Sequence, residues 1–360
     1  MSHAPLDEIA HPEVDRAWLT RAVGAIEADA NRSADTHLVK LPMPERAGID
    51  IYLKDESSHP SGSLKHRLAR SLFLYGLCNG WIRPDRPVIE ASSGSTAISE
   101  AYFAQLIGVP FVAVVPVGTA QAKLDAIRAY GGTVQTERCA NTVVAACRKL
   151  AAYTGGIFLD QFTNAERATD WRGNNNIAES LFAQMAREPH PLPAWIVVGA
   201  GTGGTSATVG RYIRYNPRIV THTRLCVVDP LGSAIYDQYQ SGAALHRDFR
   251  SPVEGIGRPD VPGSFIPSVV DRMIAVPDTA SIAAMLWLEK KLRRRCGPST
   301  GTNIVGVMHL AQEMSAQGRT GSIVTLICDG GERYGDTVYA PRWRTENGIG
   351  SDALAAAWTA

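Results

Sequence analysis

Residues 87–117 read PVIEASSGSTAISEAYFAQLIGVPFVAVVPV. PVIEA (87–91) is a short strand-like run, and PFVAVVPV (110–117) is apolar enough for a strand buried on both faces. Residues 95–107 between them read as a helix, stopped by Gly108. Strand, helix and strand in this space form a βαβ unit with parallel strands. The alternation continues outward. A helix at 119–130 ends at Gly131-Gly132, and TVQTE, a helix at 141–153 and IFLDQF follow. Further on come WIVVGAG (195–201), a helix from about 203, RLCVVD (224–229), helices at 279–295 and 302–316, and SIVTLICD (322–329). Upstream lie an amphipathic helix at 14–28 and the strand-like IYLKDE (51–56). The chain therefore predicts an α/β fold with parallel sheets covered on both faces. Residues 230–268 are rich in Gly, Pro and Ser without a clear period, a composition more often functional than not in a compact domain. The ending NGIGSDALAAAWTA (347–360) reads as a short helix or a loose tail.

Bulk properties narrow the classes. The chain has 360 residues, 45% hydrophobic and 20% charged, with net charge +1. That balance is ordinary for a globular protein and gives nucleic-acid binding no electrostatic support. Six scattered cysteines form no CxxC and no metal-ligand spacing, as expected of free thiols in a reducing cytoplasm. The polar start MSHAPLDEIAHPEVD is unlike a secretory signal, and no apolar run is long enough to span a bilayer.

Three strand-to-helix turns carry chemistry. In VVGAGTGGTSATVG (197–210), Gly199, Gly201 and Gly204 fit G-x-G-x-x-G, a turn that frees backbone N–H groups for a phosphate. Asp229, ending the next strand, stands where a ribose-binding acid would, so a nicotinamide-dependent oxidoreductase is one reading. The bland reading of the glycines is close helix–sheet packing. Thr202 and Thr205 favour a terminal phosphate monoester instead. In EASSGSTAISEAY (90–102), Ser92, Ser93, Gly94, Ser95 and Thr96 enter a helix as a run of small donors sized for a carboxylate. A plain N-cap needs one serine, not four hydroxyls around a glycine. In SGSLKHR (61–67), Ser61 and Ser63 are candidate N-caps, and Lys65, His66 and Arg67 crowd a first turn whose dipole disfavours cations. A lysine there loses its proton more readily, which suits Schiff-base chemistry; the bland alternative is a solvated surface lysine. A phosphate site, a carboxylate site and an activated lysine together make the parts of a pyridoxal phosphate enzyme acting on an amino acid.

The ordered motifs resemble the cysteine synthase / cystathionine β-synthase family, the fold type II pyridoxal phosphate enzymes, from about residue 35 to about 340. LKDESSHPSGSLKHR (53–67) resembles its cofactor-lysine motif, which implies Lys65 as the Schiff-base residue. EASSGSTAIS resembles the substrate-carboxylate loop, implying Ser92, Ser93, Gly94 and Thr96 as substrate contacts. LDQFTN (159–164) adds Gln161 to them. GAGTGGT resembles the phosphate loop, implying Gly201, Thr202, Gly203, Gly204 and Thr205. VEGIG (253–257) resembles a loop lining the site, CGPSTGT (296–302) a segment whose Ser299 meets the pyridine nitrogen, and CDGGERY (328–334) the closing signature. Ser95 stands where the family usually has an asparagine near the cofactor. ERATDWRGNNNIAES (166–180) also lacks the His and Thr-Gly pair common there in synthases. Within the family the pattern looks most like the cysteine desulfhydrases.

The resemblance implies a tryptophan synthase β-like fold of two open twisted α/β domains, with pyridoxal 5'-phosphate in the cleft between them. A smaller, mobile domain at 88–193 would carry the carboxylate loop. A larger one at 1–87 plus 194–345 would carry the phosphate, and 346–360 would be a tail. The implied activity is β-elimination from L-cysteine to hydrogen sulfide, pyruvate and ammonia. The alternative is a synthase using O-acetylserine and sulfide. A non-catalytic amino-acid-binding protein on the same fold is a quieter rival. The expected partners are a small amino-acid substrate and a second copy of the chain, with no nucleic acid, membrane or metal. Asp170, Trp171 and Arg258 are candidates for the entrance, and His66 reads as a plain helix-face residue.

Overall fold

A computed structural model describes residues 15–33, 35–43, 48–139 and 142–357. These form ten strands: β1 (His37–Leu41), β2 (Ile49–Asp55), β3 (Val88–Glu90), β4 (Phe111–Pro116), β5 (Thr133–Glu137), β6 (Ile157–Phe158), β7 (Trp195–Gly199), β8 (Arg224–Pro230), β9 (Arg272–Val276) and β10 (Gly321–Ile327). They build two sheets, one in the order β1-β2-β10-β7-β8-β9 and one in the order β5-β4-β3-β6. Every pairing is parallel except β1 with β2.

The apolar runs become strands because both faces of each sheet are covered. In β10, Ile323 and Ile327 point to a core shared with the helices Asp278–Leu292 and Pro298–Ala316. Val324 and Leu326 point the other way, to the helices Ile177–Met185 and Gly204–Tyr215. Alternate side chains thus serve opposite cores, and each such burial contributes about 1.5–3 kcal/mol. In the smaller sheet, Val88, Ala113 and Val115 face the helices Ser95–Ile107, Lys65–Cys78 and Arg16–Arg32, while Ile89 and Val114 face the helix Val143–Thr154. Packing therefore crosses the division expected at residues 88 and 193. Two helices from before residue 88 join the smaller sheet, and Ile177–Met185 joins the larger one.

Other boundaries differ from the sequence reading for identifiable reasons. The helix expected from 302 begins at Pro298, whose missing N–H costs nothing at a first helical position, so Ser299 lies in its first turn. Within 230–268, Ser233 caps a helix at Ala234–Ser241, and residues 242–266 stay free of helix and strand. The ending forms a helix, Ser351–Ala357, whose Leu354 and Ala357 pack against the larger core. Strands β1 and β9 are short and mixed in polarity, and the alternation did not reveal them.

The crowded first turn of Lys65–Cys78 is explained by what its cations meet. Arg67 donates to the buried Glu56 through Nε at 2.7 Å and to Asp35 at 3.0 Å. Burial would raise the Glu56 carboxyl, yet Arg67 and His59 hold it well below the ordinary range. His66 is buried, stacked on His59 with ring centroids 4.8 Å apart and packed against Phe103. Burial pushes its pKa down to about 3, so it adds no charge at neutral pH. Neither serine caps this helix. Ser61 bonds His66 Nδ1 and Ser99, Ser63 Oγ accepts from Lys65 N at 3.3 Å, and Leu64 occupies the cap.

Candidate active site

A cleft of about 490 Å³ lies between the sheets, at the carboxyl ends of β3, β4, β7 and β10. Parallel sheets place ligands there, because the turns leading into helices present free backbone N–H groups. Lys65, Ser92, Ser93, Gly94, Ser95, Thr96, Gln161, Gly201, Thr202, Gly203, Thr205 and Ser299 all line it. Gly204 does not. It faces Ala165, whose Cβ would lie 3.0 Å from a Cβ added there, so this glycine serves close packing.

Lys65 is held at the cleft by its neighbours in the chain. Leu64 N–H donates to the Cys328 carbonyl at 2.8 Å, and Ser63 bridges to Asp329, tying the helix start to the end of β10. Among the described residues its amine makes no hydrogen bond or ion pair. Burial lowers the Lys65 pKa; Cys328 opposes this, Arg258 reinforces it and Asp329 opposes it. The first turn of a helix adds the same preference for a neutral amine.

The serine turn leads into the helix Ser95–Ile107, whose Gly94 cap has no side-chain bond and whose first turn has no acid. Thr96 Oγ1 donates to Gln161 Oε1 at 2.7 Å, joining this turn to the helix Gln161–Ala168. The Gln161 side chain also hydrogen-bonds the Glu90 carboxyl, which fixes its amide at the edge of the turn. Beneath the turn, the Glu90 carboxylate accepts the N–H groups of Ala91 at 2.8 Å and Gln161 at 3.2 Å. Burial pushes Glu90 up to about 8 and raises Glu100, which hydrogen-bonds it, well above the ordinary range. Burial thus favours the protonated form of both carboxyls, which limits the negative charge behind an anion site.

The third turn, 201–205, opens the helix Gly204–Tyr215 without a side-chain cap or a first-turn acid. Gly203 has φ +89°, and a Cβ there would lie 2.5 Å from Phe265 Cα. A Cβ on Gly201 would lie 2.1 Å from the Gly255 carbonyl oxygen. Both glycines let the loop around VEGIG press against the turn. Ser299 is buried at the cleft wall and hydrogen-bonds Cys328.

Several cleft contacts escaped sequence reasoning. Arg333 donates to Ser95 Oγ at 2.8 Å, so the residue standing in place of asparagine is engaged by the closing signature. Lys123 and Glu254 pair at 2.7 Å across the cleft. CDGGERY marked the first contact without its target, and nothing in the spacing marked the second. Asp229 lies off the cleft, buried, accepting Tyr236 N–H at 3.0 Å, with burial pushing it up to about 7. It holds the start of a helix, and the dinucleotide reading loses its ribose acid. Asp170 lines a small separate pocket behind Lys65, and Trp171 packs edge-on to Tyr215 at 5.5 Å, so neither is at the cleft. Arg258 is.

Comparison with known proteins agrees with this geometry. The family described as pyridoxal-phosphate dependent enzyme matches residues 31–329. The chain belongs to the pyridoxal-phosphate-dependent enzymes. It is 55% identical over 354 residues to L-cysteine desulfhydrase Cds1 of Mycobacterium tuberculosis, covering 97% of this chain and 95% of that protein. It is 28% identical to a putative cysteine synthase of Sinorhizobium fredii, covering 89% and 93%. The solved structure of O-ureido-L-serine synthase superposes with TM-score 0.76 at 23% identity, covering 96% of this chain and all of that one, which shows the shared fold.

The residues present fit pyridoxal phosphate. An unpaired lysine amine faces the cleft, and the phosphate end has an uncapped helix start with the Thr202 and Thr205 hydroxyls. The cleft wall offers a neutral hydroxyl at Ser299. The glycines at 201 and 203 keep the turn flat enough to be approached. No helix among the described residues is long and apolar enough to cross a membrane.

Proposed function

We propose that this enzyme carries out pyridoxal-phosphate-dependent β-elimination on L-cysteine, releasing hydrogen sulfide, pyruvate and ammonia. The observation that carries the reading is the unpaired Lys65 amine in a cleft flanked by two anion-binding turns, in a chain 55% identical to an L-cysteine desulfhydrase. Pyridoxal phosphate, when bound, supplies a sink for the electron pair released as the Cα–H bond breaks. Thr202, Gly203 and Thr205 would hold its phosphate through backbone N–H groups and hydroxyls. Ser92 to Thr96 and the Gln161 amide hold the substrate carboxylate and thereby fix the direction of the Cα–H bond. Lys65, whose site favours the uncharged amine, takes that proton. Ser299 would face the ring nitrogen with a neutral hydroxyl, which could not keep it protonated as an aspartate would, and this would favour expulsion of a β-substituent.

A β-replacement cysteine synthase working on O-acetylserine and sulfide shares the first half of this path and is the second reading, favoured by the relatedness to a putative cysteine synthase. Incubation with L-cysteine alone separates the two. The elimination reading expects sulfide and pyruvate in equal amounts. Turnover that waits for a second substrate would reject it. Ser95 bears on the partition. Arg333 bonds its short hydroxyl, and an asparagine would extend further into the cleft. A new amide contact of about 1 kcal/mol predicts that Ser95→Asn lowers the ratio of pyruvate released to added thiol captured about fivefold. An unchanged ratio removes Ser95 from the partition.

The four-stranded sheet carries the carboxylate turn and the six-stranded sheet the phosphate turn. We therefore take the unit around the smaller sheet, centred on 88–193, as the part that closes on substrate. A homodimer in the cytoplasm completes the reading, in keeping with six cysteines that are all free.

A further inference from the structure

Arg258 follows the VEGIG loop and lines the cleft. Its backbone is fixed from both sides, with N–H donating to Ser233 Oγ at 3.0 Å and its carbonyl accepting from Ala234 N–H at 2.9 Å. Its Nε donates to the Gly201 carbonyl at 3.3 Å, and its guanidinium lies 4.3 Å from the centroid of the Phe162 ring. These contacts orient the group without neutralising it. Among the described residues no carboxylate pairs with it. Of the acids that share the cleft, Glu254 is paired with Lys123 at 2.7 Å, and Asp329 accepts from the Tyr334 hydroxyl at 2.6 Å while burial favours its protonated form. Burial lowers the guanidinium pKa to about 10, which still leaves it charged at neutral pH, and its charge reaches Lys65.

Arg258 is half-buried; a cation so desolvated and without a counter-ion is costly, and proteins keep one where a ligand supplies the charge. The substrate carboxylate and the cofactor phosphate each have a turn of their own here. The anion without a site is the one that the reaction creates. We propose that Arg258 receives the sulfur leaving Cβ and holds it as hydrosulfide. The inference rests on the elimination reading. As Lys65 takes the Cα proton, the pair left at Cα closes a Cα–Cβ double bond. The Cβ–S bond breaks and its pair departs with sulfur, giving HS⁻ beside the guanidinium. A fixed charge aimed at where negative charge develops needs no reorganisation during the reaction.

The test compares leaving groups in the holoenzyme. Hydrosulfide is the more basic anion and needs the charge; chloride leaves from β-chloro-L-alanine with little help. Arg258→Gln is expected to lower kcat/KM for L-cysteine about 100-fold, the usual loss for one such donor. The loss with β-chloro-L-alanine should stay under about fivefold, and Arg258→Lys should recover part of the cysteine activity. The dissociation constant for pyridoxal phosphate should not change. Turnover of β-chloro-L-alanine also reports that the variant is folded. Equal losses on both substrates, an undiminished rate on cysteine, or weakened cofactor binding would each overturn the assignment, the last by giving Arg258 to the phosphate. If the wild-type enzyme released pyruvate from neither substrate, the elimination reading itself would fall and take the Arg258 role with it.

Discussion

Lys65→Ala is expected to lower turnover of L-cysteine by at least about 10³-fold, since it removes the group proposed to move the Cα proton. It should also remove the covalent hold on the cofactor. Reduction with borohydride followed by peptide mass analysis should find the cofactor fixed to Lys65 in the wild-type enzyme and nowhere in the variant. Lys65→Arg separates chemistry from charge. A guanidinium restores a long cation at the same place but stays protonated in proteins, so it should be as inactive as alanine. The amine is not required for the fold, because it makes no bond to protein among the described residues and its burial as a cation is disfavoured. Lys65→Ala should therefore melt no lower than the wild-type apoenzyme. Retained elimination, or cofactor fixed at another lysine, would displace Lys65 from the centre of the site.

Lys65 was legible before the structure because its position broke a rule. A cation in the first turn of a helix opposes the dipole, and only a few tenths to 1 kcal/mol is involved, yet the pattern of three cations together called for a reason. The structure divides that reason into three. Lys65 is an amine in the cleft whose burial favours the uncharged form, His66 is a neutral core ring, and Arg67 answers Glu56 and Asp35. The last two roles were not legible, since Asp35 and Glu56 lie in other elements and their approach depends on how β2 and the helix Lys65–Cys78 are packed. The strands of continuous apolar residues could be read because burial on both faces leaves a period-free signature. The strands β1 and β9 could not, being short and only partly buried. The glycine motif was visible but ambiguous, and its glycines divide between two structural duties. Gly203 and Gly201 serve the turn and its close loop, while Gly204 packs on Ala165. Contacts across the cleft, Arg333 to Ser95 and Lys123 to Glu254, left no local pattern, because each joins segments that only the tertiary fold brings together.

Gly203→Ala is expected to weaken pyridoxal phosphate binding about 100-fold or more, a loss near 3 kcal/mol. Two costs combine at this residue. Its φ of +89° is strained for any side chain, typically by 1–3 kcal/mol. The added Cβ would also lie 2.5 Å from Phe265 Cα, 2.6 Å from Phe265 N and 2.7 Å from the Ser264 carbonyl oxygen. These are backbone atoms that cannot swing aside, so the turn itself must shift, carrying the N–H groups of 202–205 away from where a phosphate would meet them. Gly232→Ala isolates the first cost. Gly232 has the same φ of +89°, but a Cβ there meets nothing within 4 Å, and the residue lies outside the cleft. That variant should lose stability by about the strain alone and keep its cofactor affinity. Titration of each apoenzyme with pyridoxal phosphate and with pyridoxal completes the argument. If the turn holds the phosphate, Gly203→Ala should weaken the phosphorylated form far more than the unphosphorylated one. Equal weakening of both forms, or equal behaviour of the two glycine variants, would mean that residues 201–205 support the loop at 253–265 and do not hold the phosphate.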